Sequence, residues 1–119
     1  HAHNDEPPLA FALYNNIDIK YLRMLIEHKV NPYYYDKEED IQRYWSNNPL
    51  VNTVVAARGY LKAILLLEYY PDYLKDERIK KIFIREVKRH GKEVETRYRN
   101  EQLELIRYLK EKFDIETHL

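Results

Sequence analysis

The sequence predicts an all-α chain built as a solenoid of about three stacked helix pairs, and three observations lead there. First, Pro8-Leu9-Ala10-Phe11-Ala12-Leu13 returns in register as Pro49-Leu50-Val51-Asn52-Thr53-Val54, and Met24-Leu25-Ile26-Glu27 returns as Leu65-Leu66-Leu67-Glu68, both at an offset of 41. Second, apolar residues recur at helical spacing and no strand pattern of any length competes with them. Third, two Gly in 119 residues favour regular helices over Gly-dependent phosphate loops. Self-similarity at a period of roughly 20–50 residues marks stacked supersecondary units, and such stacks more often bind partners than catalyse.

The elements follow in order. His1 to Glu6 is short and polar and reads as a turn; Pro7 and Pro8 then suit a helix start, where a missing N–H costs nothing. A short helix through about Tyr14 buries Leu9, Ala12 and Leu13, and Asn15-Asn16 breaks it. Ile17 to about Glu27 reads as a second helix with Leu22, Leu25 and Ile26 on one face. Asn31-Pro32 ends it, because the residue before a proline is pushed out of the α region. Tyr33 to Asn48 is irregular, with a short helical turn over 38–45 and Ser46-Asn47-Asn48 as loop and cap.

The second pair runs from about Pro49 to Arg58 and from Tyr60 to Tyr70, joined at Gly59 and ended by Pro71-Asp72. Asp76 is the expected N-cap of the next helix, which carries Ile79, Ile82, Phe83 and Val87 toward His90, with Gly91 as its C-cap. Lys92 to Arg99 is a polar connector or a helical extension. A final helix over about Asn100 to Phe113 buries Leu105, Ile106, Leu109 and Phe113. The units are about 1–36, 37–75 and 76–119 of one domain.

Composition narrows the function. The absence of Cys excludes a disulfide framework, Cys-ligated zinc and thiol catalysis. The formal net charge is zero, but residues 1–73 carry 7 Lys/Arg against 10 Asp/Glu and the remainder 13 against 10, a mild polarity along the stack. Ala63-Ile64-Leu65-Leu66-Leu67, among the longest apolar runs, is far short of the ~20 residues a bilayer span needs. With no leader visible and His1 in place of Met, a fragment of a longer intracellular, cytoplasmic protein is expected. Tyr, at 12, is the outlier; it is enriched at interfaces because it joins a rigid apolar body to a polar tip.

The repeats resemble ankyrin repeats. Pro7-Pro8-Leu9-Ala10-Phe11-Ala12 keeps the Pro, Leu and Ala of that family's Thr-Pro-Leu-His-x-Ala opening. Lys29-Val30-Asn31-Pro32-Tyr33-Tyr34-Tyr35-Asp36 aligns with its closing turn, and Ala57-Arg58-Gly59-Tyr60-Leu61 with its Gly-His-Leu joint. Ankyrin units are about 33 residues long; an insertion between Asp36 and Pro49, with one residue more in the joint, accounts for the longer period here. Both expected His positions are lost, to Ala10 and Val51, and the first joint has Asn16 in place of Gly. Such degenerate copies resemble those of large viruses and intracellular pathogens, so a host cell's cytoplasm is among the expected places. The resemblance covers residues 1–73; 76–115 match only as a helix pair.

What the resemblance implies is a protein-binding scaffold, not an enzyme, binding through turn tips and the concave face of the inner helices. Carried over by position, the binding residues are Tyr14, Asn15, Tyr33, Tyr34, Tyr35, Tyr44 and Trp45, with Val55 and Ala56 less securely placed. A few Tyr and Trp anchors can supply most of an interface's energy; the competing expectation is that these rings pack on each other, Trp45 most of all. Tyr69, Tyr70 and Tyr73 are expected in the core and at the helix end. His1, His3 and Asp5 have a spacing that could hold a metal, but a terminus gives them no rigid support, so no metal and no cofactor is expected.

The run Lys80, Lys81, Arg85, Lys88, Arg89, Lys92, Arg97 and Arg99 is interleaved with Glu86, Glu93, Glu95 and Glu101. It reads as a solvated helical face, with Arg89 and Glu93 at pairing distance in sequence, ahead of nucleic-acid or anionic-surface binding. Ser46 is the only serine, and no nucleophile-and-base motif surrounds it. The final helix, with Glu101, Glu104, Arg107, Lys110, Glu111 and Lys112, fits a polar end cap. A monomer bound to a protein partner is expected; a purely structural end cap of a longer array is the remaining alternative.

Overall fold

The computed structural model describes residues 9, 12–13, 16–28, 48–55, 59–89 and 96–118. The chain is all-helical over these residues, with no strand among them. Its α-helices are α1 (Ile19–Glu27), α2 (Pro49–Val55), α3 (Tyr60–Tyr69), α4 (Glu77–Lys88) and α5 (Thr96–Phe113), with a 3-10 helix at Pro71–Lys75 between α3 and α4. Ahead of α1, Leu9, Ala12 and Leu13 are helical too, and Leu9 and Leu13 are fully buried.

The turn into α1 is built by an asparagine. Asn16 adopts φ 57, the left-handed region that Asn tolerates better than other side-chain-bearing residues. Its N–H donates to the Leu13 carbonyl at 3.1 Å, and the Ile17 N–H reaches back to the Ala12 carbonyl at 3.0 Å. This pair of bonds closes a helix C-terminus as a Schellman motif. Asp18 is then extended, at φ −60 and ψ 142, and its Oδ1 accepts the Lys20 N–H at 2.8 Å. The helix therefore begins two residues later than the Ile17 expected, because Asp18 caps it and cannot also sit inside it. Leu22 and Ile26 are buried and Leu25 is half-buried.

Asn48 caps α2, as its place before Pro49 suggested. Its Oδ1 accepts the Val51 N–H at 3.0 Å and its own carbonyl accepts the Asn52 N–H at 3.0 Å. Pro49 fills the first helical position, where its missing N–H is no loss. Residues 49–54 are all buried, Asn52 and Thr53 included, and the Thr53 hydroxyl is satisfied by the Leu50 carbonyl at 2.6 Å. Residues 56–58, the end expected for this helix, lie outside the described residues.

The Ala63–Leu67 run forms the middle of α3: Ala63, Leu65, Leu66 and Leu67 are buried and Ile64 is half-buried. A helix apolar on nearly every side belongs inside a core. It lies against α1, α2, the 3-10 helix and α5. Among the described residues no helix is long and apolar enough to cross a membrane. Pro71 ends α3 as expected but also opens the 3-10 helix, which periodicity alone did not indicate. That turn sinks Tyr73 and Leu74 into the core, with the Tyr73 ring edge-on to Tyr70 at 6.2 Å. Tyr70 is half-buried. Tyr69, expected with them, is instead 44% exposed, because it lies on the outer side of the last turn of α3.

Asp76 caps α4, accepting the Arg78 N–H at 3.0 Å while the Arg78 guanidinium grips the same carboxylate at 3.2 Å. Ile79, Phe83 and Val87 are fully buried and Ile82 is half-buried; His90 and Gly91 lie outside the described residues. The last helix begins at Thr96, one turn before the Asn100 expected, so 96–99 are helical extension and not connector. Leu105 and Leu109 are fully buried; Ile106 and Phe113, expected beside them, are half-buried. Gln102 is fully buried as well, its Nε2 donating to the Val87 carbonyl at 2.9 Å and tying α5 to the end of α4. Asp114, at φ 55, closes α5, and Ile115 folds back onto the core.

These packings sort the helices into two rows. α3 touches both α1 and α5, while α2 lies against both α3 and α4. Burying each Leu, Ile or Phe of this core contributes about 1.5–3 kcal/mol.

Candidate functional site

The starts of α1, α3 and α5 converge on one cleft. About 460 Å³ in volume, it is lined by Asn16, Asp18, Ile19, Gly59, Leu61, Lys62, Arg97, Tyr98 and Glu101. Each helix brings its first turn there because the rows place like ends together. The joint before α3 needs a glycine for space and not for conformation: Gly59 has φ −83. Its N–H meets the Thr53 carbonyl at 2.6 Å, and a Cβ at 59 would stand 2.8 Å from that oxygen.

Lys62 crosses from α3 to the first joint, where its Nζ donates to the Asn16 Oδ1 at 2.7 Å. Burial lowers its pKa below the ordinary lysine value, and the Asp18 carboxylate opposes part of that fall. Arg97 lies 4.8 Å over the Tyr98 ring centre and donates to the Tyr98 hydroxyl at 2.7 Å. The cleft thus sets two cations and two carboxylates around an amide. It offers donors and acceptors to a polar loop or peptide, without the excess of one charge that would select an ion.

The second surface lies on α1. Tyr21 and Met24 are exposed there, to 57% and 46%. The inward stripe of this helix, Leu22, Leu25 and Ile26, does not point to it. The signal lay in the two large apolar residues off that stripe, among Lys20, Arg23 and Glu27. Contiguous exposed apolar surface marks an interaction site more often than single exposed residues do.

All seven residues expected to contact a partner (Tyr14, Asn15, Tyr33, Tyr34, Tyr35, Tyr44 and Trp45) lie outside the described residues, as do Ala56, His1, His3 and Asp5; Val55 is half-buried. In the basic run, Lys81, Arg85, Lys88, Arg89 and Arg97 are exposed and Lys80 and Arg99 half-buried. Glu86 interrupts this face from within. Only 8% exposed, it takes Arg89 at 3.2 Å and Arg85 at 3.4 Å. Arg89 therefore pairs with Glu86; Glu93, its expected partner, lies outside the described residues.

No protein-family model, curated protein or solved structure matches the chain.

Proposed function

We propose that the chain is a protein–protein recognition module made of ankyrin-like helix pairs, binding a partner through its turn tips and inner helices and catalysing no reaction. What carries the reading is the arrangement of the rows: α1, α3 and α5 lie side by side while α2 lies on α4, so equivalent helices of successive pairs meet. Arrays of this kind present long surfaces to partners. The Tyr-rich insertion supplies the anchors, and the polar joint cleft extends the available surface. Glu86 holds Arg85 and Arg89 in ion pairs, which supports a protein partner ahead of nucleic acid.

The test is affinity capture from nuclease-treated lysate, comparing the parent with a Tyr33/Tyr34/Tyr35→Ala variant of matched melting behaviour. A protein held by the parent and lost by the variant supports the reading. Equal retention by both, or retention by neither, overturns the role of the tyrosine turn. If what is retained falls away steeply as salt rises, phosphate contacts made by the third unit carry the binding instead.

A further inference from the structure

The repeat lets α1 and α3 be compared position by position. Met24 of α1 corresponds to Leu65 of α3, Leu25 to Leu66, and Tyr21 to Lys62, all at the same offset of 41. On α3 this flank is closed: Leu65 is 3% and Leu66 0% exposed, and Lys62 reaches Asn16 in the preceding pair. On α1 the same flank is open, with Met24 at 46% and Leu25 only half-buried. It also faces away from α3, because Ile19, on the other side of α1, is the residue that lines the cleft shared with Gly59 and Lys62.

The charges beside this flank select an occupant. Lys20 and Glu27 lie on one rim of the Tyr21–Met24 stripe, seven residues and so about two turns apart. Among the described residues neither takes part in an ion pair. When two such helices run antiparallel about a two-fold axis near Met24, each Lys20 stands level with the Glu27 of the other copy, twice over. A parallel pairing would put the two Lys20 on opposite rims, with no Glu27 beside either. Head-to-tail stacking on α5 fares no better, since its outer side carries exposed Glu104, Arg107 and Glu111.

We propose that the Tyr21–Met24 flank of α1 is a self-complementary docking surface. Two copies of this chain pair there, α1 antiparallel to α1, with Met24 at the two-fold axis and Lys20–Glu27 pairs on the rim. An isologous contact of this kind closes after two subunits and makes no fibre. It departs from the monomer expected of the sequence, and it stands apart from the partner-binding reading, which uses other residues. With nine residues in α1, the contact falls below the roughly 1,200 Å² of a standard interface, which is the range of weak, transient pairs.

Sedimentation velocity from about 10 μM to about 1 mM covers that regime. The mass of the parent should rise toward the dimer across this range. Met24→Glu should stay monomeric with an unchanged melting midpoint, since the side chain is exposed. Lys20→Glu and Glu27→Lys should each weaken association several-fold, and the double swap should restore it. A parent that stays monomeric throughout, a Met24→Glu variant that dimerises as the parent does, or a double swap no stronger than the single changes would each overturn the proposal.

Discussion

α1 and α3 hold equivalent places in the repeated pattern, yet one is a flanking helix with apolar residues in water and the other is the centre of the core. Leu22 and Ile26 of α1 are buried, while α3 buries five residues over ten positions and leans on four other elements. The difference lies partly in the residues, since the repeat replaces Lys20, Tyr21 and Arg23 with Leu61, Lys62 and Ile64. It lies more in the neighbours: α1, α2, α5 and the 3-10 helix all pack on α3. Burial of a repeat position is thus decided by what stacks on it as much as by its own side chain.

The largest expected effect tests that contrast directly. Leu66→Ala should cost about 2–5 kcal/mol, as truncations of fully buried leucine do, whereas Met24→Ala on the open flank should cost less than about 1 kcal/mol. Denaturant unfolding of both variants gives the two numbers, and similar values would remove the distinction between the helices.

The joints come next. Gly59→Ala forces a methyl against the Thr53 carbonyl and should destabilise by about 1–3 kcal/mol, measured as a loss in unfolding midpoint. Asn16→Gly, in the left-handed turn before α1, should leave the midpoint near that of the parent, because Gly takes φ 57 without strain. If the two glycine-related changes behaved alike, the joints would be conformationally equivalent after all.

Smaller effects sit at the helix starts. α1 has a side-chain cap and α3 has none, so Asp18→Ala should cost about 1 kcal/mol, and Asn48→Ala at the start of α2 a similar amount. Thermal melts of these variants would show whether α1 depends on its cap more than the better-buried α2 depends on Asn48.

The smallest effect is a pH dependence at Asp76. Burial raises its carboxyl, but the side-chain and backbone hydrogen bonds from Arg78, with its charge, outweigh burial and hold it below the usual carboxylate range. A carboxyl with a lowered folded pKa contributes stability above its unfolded value, and that contribution is lost as pH falls through the folded one. The stability gap between the parent and Asp76→Asn should therefore be constant near neutrality and shrink below about pH 4. A gap that widens in acid would mean that Arg78 does not govern the site.

Local signals were legible. Asp76 as a cap, Asn48 before Pro49, the stop at Pro71, and the buried stripes of α1, α4 and α5 could all be read from spacing and cap chemistry. Asp18 carries the same cap chemistry, one residue beyond the Ile17 at which helical spacing alone starts α1. The 3-10 helix after Pro71 could not, since the same proline that stops one helix also suits the first turn of the next. Gln102 was hidden too: a glutamine on a charged helix looks solvated until the Val87 carbonyl is found beside it. Tyr69 and Tyr73 share a residue type and a neighbourhood, and only the path of the chain separates the exposed ring from the buried one. Of the candidate site, the Tyr-rich insertion was read from sequence alone, whereas the joint cleft brings together residues as far apart as Asn16 and Glu101.

By itself the sequence determined that this chain is helical, where most helices begin and end, and which stripe of each turns inward. Those properties follow from interactions within a few residues, namely cap hydrogen bonds, proline's missing donor and the 3.6-residue period. Only the tertiary structure decided that α3 is enclosed while α1 keeps an open flank, that Gly59 is needed for a close approach, and that Glu86 and Gln102 lie inside. Each of these depends on which distant segment stands alongside, and a one-dimensional pattern carries no term for that.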